Sequence, residues 1–216
     1  MHTPSHRPVT TRARPRPRAR TPRFDVAILT GGRGLRLGGA DKGQLKVEGL
    51  TLIKRLAALA PTPRSVFLVG RPPAGDSEGD FRWVGDVAPG LGAPGGILSA
   101  ARYARAPWVL VVACDMPRVH RQAVELLLAR AGPGVDAVAF ADAKRLWPFP
   151  ALIRAAAFRT LLRVAEPGIS ARALLRASRL ITVPLRELAQ VDPRLESLES
   201  VNEPQDLVRL RIDIGI

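Results

Sequence analysis

The chain has 216 residues, enough for one α/β domain that buries roughly two-thirds of the surface its unfolded form exposes. Its single cysteine, Cys114, excludes an intramolecular disulfide scaffold and a cysteine-based zinc finger, and its longest apolar run, Ala106 to Cys114, is about half of the roughly 20 residues that a bilayer crossing takes. A formal net charge of +14 suggests a polyanion, but residues 1–23 contribute +7 of it and residues 24–216 the other +7.

Residues 1–23 hold seven arginines, prolines at 4, 8, 15, 17 and 22, and no acidic residue. With no large apolar residue beyond Met1 and Val9, this stretch builds no core and reads as a disordered Arg/Pro-rich tail before a folded unit spanning 24–216. From Phe24 onward, short apolar runs alternate with helical patterns, as in βα units around a mostly parallel sheet. Strands are predicted over Phe24–Thr30, Ser65–Gly70, Phe81–Gly85, Trp108–Cys114, Asp136–Ala141, Leu146–Ile153 and Leu180–Val183. Helices are predicted over Leu50–Ala60, Gly95–Arg105, His120–Ala131, near Ala155–Ala165 and Ser170–Ala177, and from Glu203 to the end.

The most informative segment follows the first strand: Leu29-Thr30-Gly31-Gly32-Arg33-Gly34-Leu35-Arg36-Leu37-Gly38-Gly39-Ala40-Asp41-Lys42. Five glycines let backbone N–H groups approach an anion closely, and two arginines and a lysine add cationic donors suited to a triphosphate. Lys42 lies between Asp41 and Gly43, which departs from the Walker pattern. A dinucleotide turn competes, since Gly32, Gly34 and Gly38 give GxGxxxG; the only tyrosine, Tyr103, is followed four residues on by Pro107, so the Tyr/Lys acid pair of short-chain dehydrogenases is missing.

The run Leu29-Thr30-Gly31-Gly32, then Arg36-Leu37-Gly38, then Asp41-Lys42 resembles the signature of the molybdenum cofactor guanylyltransferases, with Thr30 for the usual Ala and Leu37 for the usual Met. Three further segments follow in the family's order. They are Asp86 with the turn Gly90-Leu91-Gly92-Ala93-Pro94-Gly95-Gly96, Cys114-Asp115-Met116-Pro117, and Asn202-Glu203-Pro204-Gln205-Asp206-Leu207. The resemblance implies a Rossmann-like three-layer α/β/α nucleotidyltransferase fold and a cytoplasmic, Mg²⁺-dependent enzyme. It implies transfer of GMP from GTP to molybdenum-bound molybdopterin, with pyrophosphate released and molybdopterin-delivering or molybdoenzyme-maturation proteins as partners.

Residue by residue, it places Leu29, Thr30, Gly31, Gly32, Lys42, Asp86 and Asp115 at the nucleotide, Arg36, Lys42 and Asp115 in catalysis, Asp115 on the metal and Asn202 at the acceptor. Each has a plainer reading. Asp115 can cap a helix beginning near Pro117, Asp86 can form a turn, Asn202 can cap the last helix, and Arg36 and Lys42 can be solvated charges. Trp147 and Pro148-Phe149-Pro150 can line the acceptor pocket or pack in the core. At Val69-Gly70, where the family commonly presents an Asn, only backbone can reach the nucleotide. A related cytidylyl- or sugar-phosphate nucleotidyltransferase is the nearest alternative. A nucleic-acid-binding module is the distant one, since no helix-turn-helix, zinc-finger or RNP-type motif accompanies the charge.

Overall fold

The structure is a computed structural model that describes residues 21–30, 45–47, 49–70, 81–210 and 212. Nine strands and seven helices follow in chain order among these residues: β1 (Phe24–Leu29), β2 (Lys46–Val47), β3 (Leu50–Thr51), α1 (Leu52–Ala58), β4 (Val66–Val69), β5 (Arg82–Val84), α2 (Ala93–Tyr103), β6 (Trp108–Ala113), α3 (Arg121–Leu128), β7 (Ala137–Ala141), β8 (Leu146–Arg154), α4 (Ala155–Leu161), α5 (Ala171–Arg176), β9 (Leu180–Pro184), α6 (Leu185–Leu188) and α7 (Pro204–Arg209).

Seven strands form one sheet in the order β5-β4-β1-β6-β8-β7-β9. All neighbours are parallel except where β8 runs against both β6 and β7. Alternation along β1 explains the three layers. Ala27 and Leu29 face a core completed by α2, α4 and α5, whereas Phe24, Val26 and Ile28 face one completed by α1, α3 and α6. All six β1 residues are buried, so helices cover both sheet faces, and the expected fold class is the one found.

Several boundaries differ from expectation for local reasons. The helix expected from Leu50 starts at Leu52, because Leu50–Thr51 pairs antiparallel with Lys46–Val47 and the Thr51 hydroxyl caps α1 by accepting from Lys54 N at 3.3 Å. Helix α2 starts two residues before Gly95. Gly92, at φ +62°, takes the left-handed conformation before it, and Pro94 sits in its first turn. The strand at Leu146 turns back because Asp142 closes a tight turn, its Oδ1 accepting from Lys144 N at 2.8 Å and Arg145 N at 2.7 Å. Helix α6 was not expected, since four residues are too few to show a period.

A third, smaller cluster packs α7 against the β2–β3 hairpin: Val201, Leu207, Leu210 and Ile212 meet Leu45, Val47 and Leu52. Asp25, wholly buried in β1, accepts from Arg105 N at 2.6 Å, Ala106 N at 2.8 Å and the Ser65 hydroxyl at 2.8 Å. Three donors meet that buried carboxylate, so it ties the sheet's amino edge together. Among the described residues no helix is long and apolar enough to cross a membrane.

Candidate active site

At the carboxyl edge of the sheet lies a cleft of about 780 Å³. The chain reaches it from β1 at Leu29 and Thr30, from β4 at Val69 and Gly70, and from β6 at Cys114 and Asp115. The strand ends are held in register by a ladder that outruns the strands: Thr30 N donates to Val69 O at 2.9 Å, Cys114 N to Leu29 O at 2.9 Å and Gly70 N to Val84 O at 3.0 Å. The Thr30 hydroxyl adds a second bond to Val69 O at 2.9 Å, a contact that alanine at this position could not make. Open α/β sheets bind ligands at this edge.

Asp115 is half-buried on the cleft wall directly after β6. The helix it was expected to cap does not begin there: α3 starts at Arg121, capped by His120. The capping alternative therefore falls away. The backbone carbonyl of Asp115 accepts from Val201 N at 2.8 Å, which brings the C-terminal segment to the cleft.

Asp86 lines the same cleft from beyond β5 and does form a turn, its Oδ1 accepting from Ala88 N at 2.9 Å. The buried Ser99 hydroxyl lies 3.0 Å from that oxygen and 2.8 Å from Gly95 O. With one hydrogen to give, Ser99 serves one acceptor at a time. A Cβ on Gly95 would stand 2.6 Å from Ala88 O and 3.1 Å from both Asp86 carboxylate oxygens, so glycine is what lets α2 close on this turn.

The opposite wall comes from β8. Because that strand is antiparallel, its amino end sits beside the carboxyl end of β6, and Trp147, Pro148 and Phe149 line the cleft rather than the core alone. Two arginines missed in the sequence stand with them. The Arg145 guanidinium lies 4.8 Å from the Trp147 ring centroid, and Arg172, near the start of α5, donates from Nε to Leu146 O at 2.9 Å. Nothing in the sequence separates these two from the chain's other arginines; only the fold does.

Asn202 stands beside the cleft wall instead of lining it. Its Nδ2 donates to the Ser200 hydroxyl at 2.8 Å, and Ser200 is the lining residue. Nor does Asn202 cap α7, whose N-cap is Glu203. Gly31, Gly32, Arg36 and Lys42 lie outside the described residues.

Asp206 anchors this region. The backbone N–H groups of Asn202 and Glu203, donating to Oδ2 at 2.9 and 3.0 Å, hold its carboxyl below the usual value of 3.8, and Arg209 adds to the effect. A depressed folded-state pKa stabilises above the unfolded value and ceases to do so as pH falls through the folded one. Asp206→Ala should therefore lower stability by about 1 kcal/mol at neutral pH, and the difference from the parent should shrink as pH falls below 3.8 and on through the lower folded-state value, as thermal melts across pH would record.

Away from the cleft, His120, Asp192 and Glu196 place ligand atoms within 4.8 Å of one another. Their carboxylates are already engaged: Asp192 accepts from the N–H groups of Glu196 and Ser197, at 3.0 and 2.8 Å, and Glu196 pairs with Arg118 at 2.6 Å. The group ties chain segments together.

The family described as MobA-like NTP transferase domain matches residues 26–183, which include every strand of the large sheet except the ends of β1 and β9. The chain belongs to this family. A molybdenum cofactor guanylyltransferase of Pseudomonas putida is 34% identical over 191 residues, covering 86% of this chain and 97% of the relative. Among solved structures, molybdopterin-guanine dinucleotide biosynthesis protein A from Archaeoglobus fulgidus aligns with a TM-score of 0.70 at 27% identity, over 86% of this chain and 95% of that one. A nucleotidyl transferase from Methanothermobacter shares the fold, with a TM-score of 0.67 at 22% identity over 88% of this chain and 96% of that one. This MobA-like chain is a nucleotidyltransferase.

Proposed function

We propose that this MobA-like enzyme transfers GMP from GTP to the terminal phosphate of molybdenum-bound molybdopterin, forming the guanine dinucleotide and releasing pyrophosphate. The observation that carries the reading is the place of Asp115. It follows β6, which lies between the strands that form the nucleotide wall (β1, β4) and the strand that forms the acceptor wall (β8).

On the nucleotide wall, Leu29, Thr30, Gly70 and Asp86 frame the base and ribose, and the first turn of α2 offers N–H groups with partial positive charge. Specificity there rests on backbone at Val69-Gly70 together with Asp86, a carboxylate able to accept from a base or ribose. Gly31, Gly32, Arg36 and Lys42 supply triphosphate contacts, as the resemblance implies. On the acceptor wall, Trp147 and Phe149 supply apolar surface for the pterin, and Arg172 and Arg145, whose guanidinium lies over the Trp147 ring, supply charge for its phosphate. Asn202 orients Ser200 on that wall.

The donor set suits Mg²⁺, because Asp115 offers a hard carboxylate oxygen in a cleft roomy enough for substrate phosphates. Asp115 would hold the ion, which would supply neutralisation of the charge developing on the α-phosphate. An ionised acceptor oxygen attacks the α-phosphorus, the bond to the β-phosphate oxygen breaks in line, and pyrophosphate leaves with that electron pair. No general base or covalent enzyme intermediate is needed, so the residues act by positioning and charge. The cytoplasm is the compartment, and proteins that deliver molybdopterin or mature molybdoenzymes are the partners.

A thermal-shift panel tests the nucleotide. At 100 times its dissociation constant a ligand stabilises by about 2.7 kcal/mol, so GTP with Mg²⁺ should raise the melting temperature by several degrees, and more than CTP or ATP at equal concentration. Greater protection by CTP would replace this reading with the cytidylyl alternative.

A further inference from the structure

The loop carrying Asp115 runs from β6 to α3 without helix or strand, and several of its ties lead to one C-terminal segment. Val201 N donates to Asp115 O at 2.8 Å, and His120 N donates to the Ser197 hydroxyl at 2.9 Å. Arg118, within the loop, reaches both ends of that segment: NH1 pairs with Glu196 Oε1 at 2.6 Å and NH2 donates to Leu210 O at 3.1 Å. Asp192, 1% exposed, fixes the segment's start by accepting from the N–H groups of Glu196 and Ser197. Beyond Val201 the same segment packs through Leu207, Leu210 and Ile212 on Leu45 and Val47, where the chain returns from the glycine-rich stretch.

We propose that residues 192–212 form a strap joining the Asp115 loop to the far anchor of the glycine-rich stretch, and that Arg118 is the positioning residue that pins it. Arg118 stands outside the cleft lining. It acts through the backbone of the loop, fixing where the Asp115 carboxylate stands. Ser200, on the same strap, lines the cleft, so the strap meets both the Asp115 loop and the cleft wall. The metal half of this inference rests on the role proposed above for Asp115.

Arg118→Gln, Arg118→Lys and the parent, all full-length, provide the test. Hydrogen exchange without ligand should be faster at the Val201 and His120 amides in Arg118→Gln by about tenfold, with the β1 and β6 amides unchanged. The Mg²⁺ concentration giving half-maximal GTP turnover should rise by about tenfold, as when an outer-shell partner of a metal ligand is lost, while the rate at saturating Mg²⁺ stays within about twofold. Arg118→Lys should recover most of the shift, since a single ammonium still reaches Glu196. If Arg118→Gln folds poorly, Glu196→Gln carries both measurements, with smaller shifts in the same direction. Unchanged exchange overturns the strap. Faster exchange with an unchanged Mg²⁺ requirement overturns its link to Asp115. A parent enzyme indifferent to Mg²⁺ overturns the metal role of Asp115 instead, and with it the metal half of the inference, while the exchange result still decides the strap.

Discussion

Asp115→Ala should reduce nucleotidyl transfer by a factor on the order of 1,000 or more while the protein remains folded. The factor corresponds to about 4 kcal/mol of transition-state stabilisation, the scale of losing a carboxylate that holds a charge-neutralising metal. Stability should change little for three reasons. The side chain is half-buried, it caps no helix, and the tie from Val201 is made to the backbone carbonyl, which alanine keeps. Asp115→Asn separates shape from charge: it preserves the volume and removes the negative ligand, so it should be nearly as inactive as alanine. Steady-state turnover paired with thermal melts checks both variants. Activity above a tenth of the parent's in either one contradicts the assignment.

Gly95→Ala has the second largest expected effect, and two magnitudes oppose each other in it. Alanine favours a helix interior over glycine by about 1 kcal/mol. The new Cβ would lie 2.6 Å from the Ala88 carbonyl, a backbone atom with little room to yield, and 3.1 Å from both oxygens of Asp86. Overpacking of this kind costs about 1–3 kcal/mol, so the clash outweighs the propensity gain. The turn must move, and Asp86 moves with it. The melting temperature should fall and nucleotide affinity should weaken by about tenfold, the equivalent of 1.4 kcal/mol. Gly96→Ala is the internal control. Its Cβ would meet Leu29 Cδ1 at 2.9 Å, the free end of a side chain that can rotate aside, so its stability loss should be clearly smaller than that of Gly95→Ala. Equal melting temperatures for the two variants would show that the turn is not held as tightly as the structure indicates.

The seven strands of the large sheet were legible in the sequence because their signals are local. Trp108–Ala113 is apolar on both faces, and an Asp directly after such a strand stands out. Direction and partnership were not legible. Periodicity says that Leu146–Ile153 is extended but not that it runs antiparallel, and only that reversal carries Trp147 and Phe149 to the cleft. For the same reason Arg145 and Arg172 were indistinguishable from the other arginines until the turn at Asp142 and the start of α5 placed them on the cleft beside β8. Both readings of Asp115 were left open by its neighbours in sequence. They separated only when α3 began at Arg121, beyond the reach of a cap.

The net charge of +14 has a matching division. Half of it lies in residues 1–23, before the first strand, and the other half is spread through residues 24–216, whose proposed substrates are both anionic. The most direct measurement of the proposed function incubates the full chain with Mg²⁺, molybdenum-loaded molybdopterin and a single nucleoside triphosphate, following pyrophosphate release and dinucleotide formation together. GTP should yield one pyrophosphate for each guanine dinucleotide formed, at a rate well above that with CTP or ATP. Faster transfer from CTP to the same acceptor, or pyrophosphate release from GTP only with a different phosphorylated acceptor, would contradict it.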